Sequence, residues 1–279
     1  DIDPVLILEL IEKEKIRSSL FVPAVILFLV SIPQAAETDF SSLKFVLYGA
    51  SPIADDTILK AKEIMKCDLF QVYGLTETAG AITILMPEDH DPEKGKLRSC
   101  GKALNSVEIK VVDDEGNEVK TGDIGEVISK SPLNMKGYWN RPDATEEAIK
   151  DGWFYSGDAG FFDDEGYLYI HDRVKDMIVS GGENIYPAEV ENALMSHPEI
   201  ADAAVIGVPD DKWGESVKGF VVLQPDSSLD ETEIISYSRT QIAGYKCPKT
   251  INFIEALPRN PSGKILRREL REPFWEGKD

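Results

Sequence analysis

Apolar residues recur in this chain at two periods, and the switch between them marks out the elements. Residues 4–15 place Val5, Leu8 and Ile11 at helical spacing. Ser19–Val22 reads as a strand and Ala24–Val30 as a helix. Leu43–Tyr48 predicts a buried strand, followed by the turn Gly49-Ala50-Ser51-Pro52, a helix over Ala54–Met65 and a strand at Asp68–Val72. Strands alternating with helices predict βαβ units and a mostly parallel sheet. From about residue 98 the runs shorten. Val107–Val112 and Gly125–Ser129 flank an Asp/Gly/Asn turn, and Phe161–Ile170 folds around Asp163-Asp164-Glu165-Gly166, so a small β-rich lobe is predicted. After Lys175 a second unit begins. Its strands are predicted at Met177–Val179, Ala203–Val208, Val217–Leu223 and Thr250–Glu255, and its helices at Pro187–Ser196, Asp230–Ala243 and Ile265–Arg271. The fold class is α/β: a large domain over residues 1–172, then a small α+β domain over 173–279.

Composition narrows the function classes. The chain has 279 residues, 42% of them hydrophobic, enough for an ordinary globular core. Its 30 Lys plus Arg against 50 Asp plus Glu give a net charge of -20, a field that repels nucleic-acid backbones. Any phosphate ligand must be held by local cations and backbone N–H groups. Cys67, Cys100 and Cys247 form no CxxC pair, and His90, His171 and His197 show no metal-ligand spacing. Reduced thiols and a cytoplasmic location are the expectation. The apolar run Leu20–Val30 is too short to span a bilayer and contains Pro23, so no transmembrane segment is expected, and peripheral membrane contact stays open. The acidic opening Asp1-Ile2-Asp3 carries no basic leader, and the absence of Met inside a helical pattern predicts a truncated start.

Polar stations then appear in a fixed order. Tyr73-Gly74-Leu75-Thr76-Glu77 follows a predicted strand, where α/β sheets build their sites. It offers an aromatic face, a hydroxyl for a phosphate oxygen and a carboxylate suited to Mg²⁺; alone it also reads as a turn with a helix cap. Gly49-Ala50-Ser51 ends the preceding strand at the same edge. Asp158, in Ser156-Gly157-Asp158, can accept from two vicinal hydroxyls, and Arg173 can donate; a structural salt bridge would use either residue equally well. Ser180-Gly181-Gly182-Glu183-Asn184 reads as a strand interrupted by two glycines, either a bulge or a place where something approaches the backbone. Lys264 stands in Pro-Arg-Asn-Pro-Ser-Gly-Lys, and the Walker spacing fails there. Lys175 and Lys264 each also read as a solvated lysine.

These stations, with Gly137-Tyr138-Trp139-Asn140-Arg141-Pro142 and the stretch Asp172–Glu189, resemble the C-terminal half of the AMP-forming adenylating enzymes. That superfamily includes acyl-CoA synthetases, luciferases and peptide-synthetase adenylation domains, and the match is closest to fatty-acyl-CoA synthetases. The resemblance makes residues 1–172 the C-terminal part of a large AMP-binding domain and 173–279 a small mobile domain that rotates about Lys175. It also implies an upstream segment with the Ser/Thr/Gly-rich phosphate loop. The implied cofactors and substrates are ATP, Mg²⁺, coenzyme A and a carboxylic acid.

Roles follow from the same resemblance. Gly49, Ala50 and Ser51 present backbone to adenine, Tyr73 stacks on it, and Gly74 allows close approach. Thr76 meets phosphate and Glu77 holds Mg²⁺. Asp158 and Arg173 contact ribose. Gly181 and Gly182 face the pantetheine arm, with Asn184 towards the site. Lys264 is the lysine that offsets repulsion between the attacking carboxylate and the α-phosphate. Lys246, Lys249 and Trp213 are candidates for the CoA nucleotide, although core packing suits Trp213 better. Two other readings stay open: a non-catalytic AMP- or CoA-binding module, and an adenylation domain or luciferase-like enzyme that shares only the first half-reaction.

Overall fold

The computed structural model describes residues 2–51, 53–260 and 265–276. The chain folds into two compact units, Asp1–Ile170 and His171–Asp279.

The first unit opens on helix α1 (Pro4–Lys13). Asp3 caps it by accepting from the Leu6 N–H at 3.1 Å, and Pro4 takes the first turn, where its missing N–H matters least. Strand β1 (Ser18–Phe21), α2 (Pro23–Ser31), β2 (Phe45–Gly49), α3 (Asp55–Met65) and β3 (Asp68–Leu75) follow. The three strands pair in parallel in the order β1-β2-β3, as βαβ connections require. Helix α3 starts with Asp55 and Asp56 in its first turn, which suits the positive end of its dipole. It ends where Lys66 turns left-handed, with φ 50°. Leu8, Ile11, Ile26, Leu29, Val46, Tyr48, Ile58 and Met65 fill the core between these helices and the sheet.

Antiparallel strands β4 (Gly80–Leu85) and β5 (Lys102–Ala103) extend this sheet beyond β3, so it is mixed at that side. The predicted β-rich lobe is an antiparallel sheet of β6 (Glu108–Val112), β7 (Gly125–Lys130), β8 (Ile149–Lys150), β9 (Trp153–Phe162) and β10 (Leu168–Arg173). Their order is β10-β9-β7-β6, with β8 beside β9. A seven-residue helix, α4 (Pro142–Ala148), precedes β8. Strand β10 leads out of the first unit into the second.

The second unit is built on β11 (Ile178–Ser180), β12 (Glu183–Ile185), β13 (Ile200–Asp210), β14 (Gly214–Leu223) and β15 (Thr250–Phe253). Their order is β12-β11-β14-β13, with β15 parallel to β14. Helices α5 (Pro187–Met195) and α6 (Glu231–Gln241) cover Val190, Leu194, Val205, Val217, Val221 and Ile234. A reciprocal cap starts α6: Asp230 accepts from the Glu233 N–H, and Glu233 accepts from the Asp230 N–H. The last helix, α7 (Arg267–Trp275), packs against β13, where the Trp275 indole N–H donates to the Gly207 carbonyl at 3.0 Å. No helix among the described residues is long and apolar enough to cross a membrane.

Candidate active site

In the first unit, parallel pairing brings the C-terminal ends of β2 and β3 to one sheet edge, with Gly49 opposite Val72. Gly49 is buried, and a Cβ there would land on the Val72 carbonyl. Ala50 follows it in the left-handed region at φ 72°, an unusual strain for alanine, and Ala50 and Ser51 are exposed. Pro52 lies outside the described residues.

The Tyr73–Glu77 stretch corrects the sequence reading in one respect. Strand β3 continues through Leu75, so Tyr73 and Gly74 are strand residues and not part of a turn. The reason is β4, which pairs back along β3 and comes so near that a side chain on Gly74 would strike the Gly80 carbonyl. The turn is Thr76–Thr78, a single 3-10 turn in place of a capped helix. Thr78 holds it closed: its hydroxyl receives the Leu75 N–H at 3.0 Å and lies 2.7 Å from the Gly80 carbonyl. Thr76 is therefore presented to solvent, and Glu77 is half-buried beside it.

Two tyrosines hold the two candidate carboxylates of this unit. The Tyr73 hydroxyl donates to Asp158 Oδ2 at 2.7 Å, across 85 positions of sequence. The Tyr138 hydroxyl donates to Glu77 Oε1 at 2.8 Å. Asp158 is 6% exposed, and its main chain is fixed on both sides. The Ser156 hydroxyl donates to the Val127 carbonyl and accepts the Asp158 N–H. Glu126 accepts the Gly157 N–H at 2.8 Å, where β7 and β9 slip register. The Tyr73 ring packs against Val111, Val127 and Leu168. Burial, reinforced by the Asp158 charge, pushes its phenol far above the ordinary value, so the hydroxyl stays a donor. Burial likewise raises the Glu126 carboxyl. Tyr138, Ser156 and Glu126 were given no role from sequence; only the quoted motifs around the first two were a signal.

In the second unit, Arg173 ends β10 half-buried, and Lys175 is exposed in the 3-10 turn Val174–Asp176. The Lys175 carbonyl accepts from Arg271 at 3.3 Å. Gly181 and Gly182 are neither a bulge nor an interruption: they form the two-residue turn of the β11–β12 hairpin, at φ 63° and 85°. Primed turns demand such values, which glycine supplies without strain. Asn184 is exposed opposite Val179.

Trp213 corrects the expectation of core packing. It is 42% exposed and lies so close over Gly181 that a side chain there would meet its ring at 2.7 Å. The Lys212 and Lys249 ammonium groups sit 4.5 and 5.2 Å from its ring centroid. Lys246 is engaged elsewhere, 2.7 Å from both carboxylate oxygens of Glu189. Lys264 lies outside the described residues.

The AMP-binding enzyme family model matches residues 1–139, and the AMP-binding enzyme C-terminal domain model matches residues 189–264. A fatty acid–[acyl-carrier-protein] ligase of Streptomyces coeruleorubidus is 42% identical over 267 residues, covering 96% of this chain and 51% of the relative. A long-chain-fatty-acid–CoA ligase of Mycobacterium tuberculosis is 42% identical over 265 residues, covering 95% and 52%. Among solved structures, the o-succinylbenzoate CoA synthetase of Bacillus subtilis, in complex with its acyl-adenylate intermediate, superposes with TM-score 0.85. It is 37% identical and covers 96% of this chain and 54% of that one. The chain spans about half the length of the curated relatives it matches.

Proposed function

This chain belongs to the AMP-binding enzyme family, and from that membership we propose that the protein is a carboxylic acid–CoA ligase acting through an acyl-adenylate. The observation that carries the reading is the Tyr73–Asp158 hydrogen bond, which joins an adenine candidate on β3 to a ribose candidate on β9. Medium- or long-chain fatty acids are the proposed substrates, supported by the names of the two 42%-identical relatives. The need for ATP and CoA fits a cytoplasmic enzyme.

In the first half-reaction the substrate carboxylate attacks the α-phosphate of ATP, giving acyl-adenylate and pyrophosphate. Gly49, Ala50 and Ser51 line the adenine, and Tyr73 offers its ring beside Gly74, whose missing side chain makes room for β4. Asp158 accepts from the ribose hydroxyls, and Arg173 serves the ribose as donor. Thr76, exposed in its turn, donates to a phosphate oxygen. Glu77 would hold Mg²⁺, a hard ion that prefers carboxylate oxygen. Bound there, the ion would neutralise phosphate charge. Lys264 offsets the repulsion between the two reacting anions.

In the second half-reaction the CoA thiol attacks the acyl carbon and AMP leaves. The small unit turns about Lys175, with a few φ/ψ changes absorbing the motion. Gly181 and Gly182 receive the pantetheine arm, Asn184 lies beside it, and Lys246 serves the CoA nucleotide by exchanging its Glu189 partner for phosphate. Trp213, exposed between two lysines, has the chemistry to stack on the CoA adenine.

The test is acyl-CoA formation read by mass spectrometry, with ATP, Mg²⁺, CoA and a panel of carboxylic acids. This chain is assayed alone and joined behind the first half of the Mycobacterium tuberculosis relative. Product that disappears in Lys264→Ala supports the ligase and names its acid. AMP binding without product from any acid, in either form, would leave a non-catalytic nucleotide-binding module. Replacing CoA with a holo-acyl carrier protein separates the two thiol acceptors that the relatives' names present.

A further inference from the structure

We propose that Glu215, oriented by Arg271, is a positioning residue for the thiol acceptor: it holds strand β11 so that the Gly181–Gly182 turn is set to receive the pantetheine arm. The inference rests on the reading of that turn as the pantetheine site.

Strand β11 is three residues long and runs straight into the turn. Among the described residues it meets β14 at one position, Ser180 opposite Gly214, so the ladder on that side holds little of its backbone. The Val179 N–H donates instead to a side chain on β14, Glu215 Oε2, at 3.0 Å. A carboxylate thus stands where a strand carbonyl would, and an ionised acceptor makes the stronger bond. Its other oxygen, Oε1, accepts from Arg271 Nη2 of α7 at 3.0 Å. Arg271 Nη1 donates to the Lys175 carbonyl just ahead of β11, so the planar fork is held at both ends. The same guanidinium lies 4.6 Å from the Trp275 ring centroid. Space for the carboxylate comes from Gly207 on β13, where a side chain would stand 2.7 Å from Glu215 Oε2. Ile178 anchors the start of β11 in the core, and the Gly181 N–H, donating to the Trp213 carbonyl, anchors the turn. Glu215 holds the span between them, where the Val179 side chain is exposed.

The experiment measures the affinity of this chain for CoA and for adenosine 3′,5′-bisphosphate by calorimetry, with and without Glu215→Ala. The bisphosphate carries the base and sugar phosphates of CoA but no pantetheine arm. The unaltered chain is expected to prefer CoA, and the variant to lose about five- to tenfold of that preference, as for a hydrogen bond to a charged group. Bisphosphate affinity is expected to change little, because Trp213 and Lys246 keep their own partners, Asp210 and Glu189. A fall of equal size for both ligands would mean that Glu215 acts on the nucleotide or on folding, and the proposal would be wrong. A preference surviving intact in Glu215→Ala overturns the proposal alone. Absent or equal affinities in the unaltered chain overturn the pantetheine reading of the turn and the proposal with it. Should Glu215→Ala be too unstable, Arg271→Met leaves the Val179 acceptor in place without its orienting partner. That variant is expected to lose about threefold of the preference, and an unchanged preference overturns the proposal.

Discussion

The Tyr138 hydroxyl reaches across 61 positions of sequence to donate to Glu77 Oε1, while the Met135 N–H donates to the Glu77 main-chain carbonyl at 2.6 Å. One segment thus grips both ends of the residue proposed to hold Mg²⁺. The segment is itself anchored, since the Tyr138 N–H donates to Thr145 Oγ1 at 2.9 Å. Tyr138→Phe frees the carboxylate to turn and leaves the anchor intact. The expected outcome is a roughly five- to tenfold rise in the Mg²⁺ concentration for half-maximal pyrophosphate release. Stability should move by no more than about 0.5 kcal/mol, because the side chain is largely at the surface. An unchanged Mg²⁺ requirement would separate Glu77 from the metal.

Lys264 carries a sharper kinetic expectation. A cation between two reacting anions acts on adenylation and has no work in the thiol step. Lys264→Ala is expected to slow single-turnover acyl-adenylate formation by about a hundredfold or more. CoA capture of supplied acyl-adenylate should stay within a few-fold of normal. Equal loss in both steps would sink the assignment.

Arg267 is the structural counterpart of these residues. Its guanidinium meets Glu191 through Nε at 3.1 Å and Nη2 at 2.6 Å, and stands 3.8 Å from both Asp172 and Asp176. Glu191 also accepts the Val205 N–H, and burial pushes its carboxyl above the usual range. Removing the arginine leaves that carboxylate enclosed without its partner. Arg267→Ala is expected to destabilise the protein by about 3–5 kcal/mol, read as a lower urea midpoint. Pairing it with Glu191→Gln should recover part of the loss. A single variant with a normal midpoint would show that Glu191 finds its donors elsewhere.

Local physics made much of the fold legible. Helix α3 was readable from its apolar spacing and its acidic start, and α6 from its capping residues, because those signals act within a few positions. Strand β4 was not assigned, since its place depends on pairing with β3 through a turn closed by Thr78. The site was legible only as an order of motifs. Neither the Tyr73–Asp158 nor the Tyr138–Glu77 contact has a periodic signature, as both depend on how separate segments come together. Trp213 was expected inside because large aromatics bury well. A glycine turn gives it a surface to lie on while half its ring stays wet. Lys246 read as a phosphate cation, and its ammonium rests on Glu189, which stands 57 positions away.

One pH effect follows from a buried pair in the first unit. His90 is fully buried; its Nδ1 lies 2.9 Å from the Met86 carbonyl, and its Nε2 lies 2.9 Å from the Tyr48 hydroxyl. A carbonyl only accepts, so Nδ1 carries the proton and neutral Nε2 receives the Tyr48 hydroxyl. Burial lowers the His90 pKa below its ordinary 6.5. The unfolded chain therefore binds a proton near pH 6.5 that the folded chain refuses. Stability from this group is full above that pH and is lost as pH falls from there through the folded pKa. Melting temperature is expected to drop between pH 7 and pH 5, and the slope should be shallower in His90→Gln, which is less stable at pH 7. An identical slope in the variant would assign the acid sensitivity to other groups.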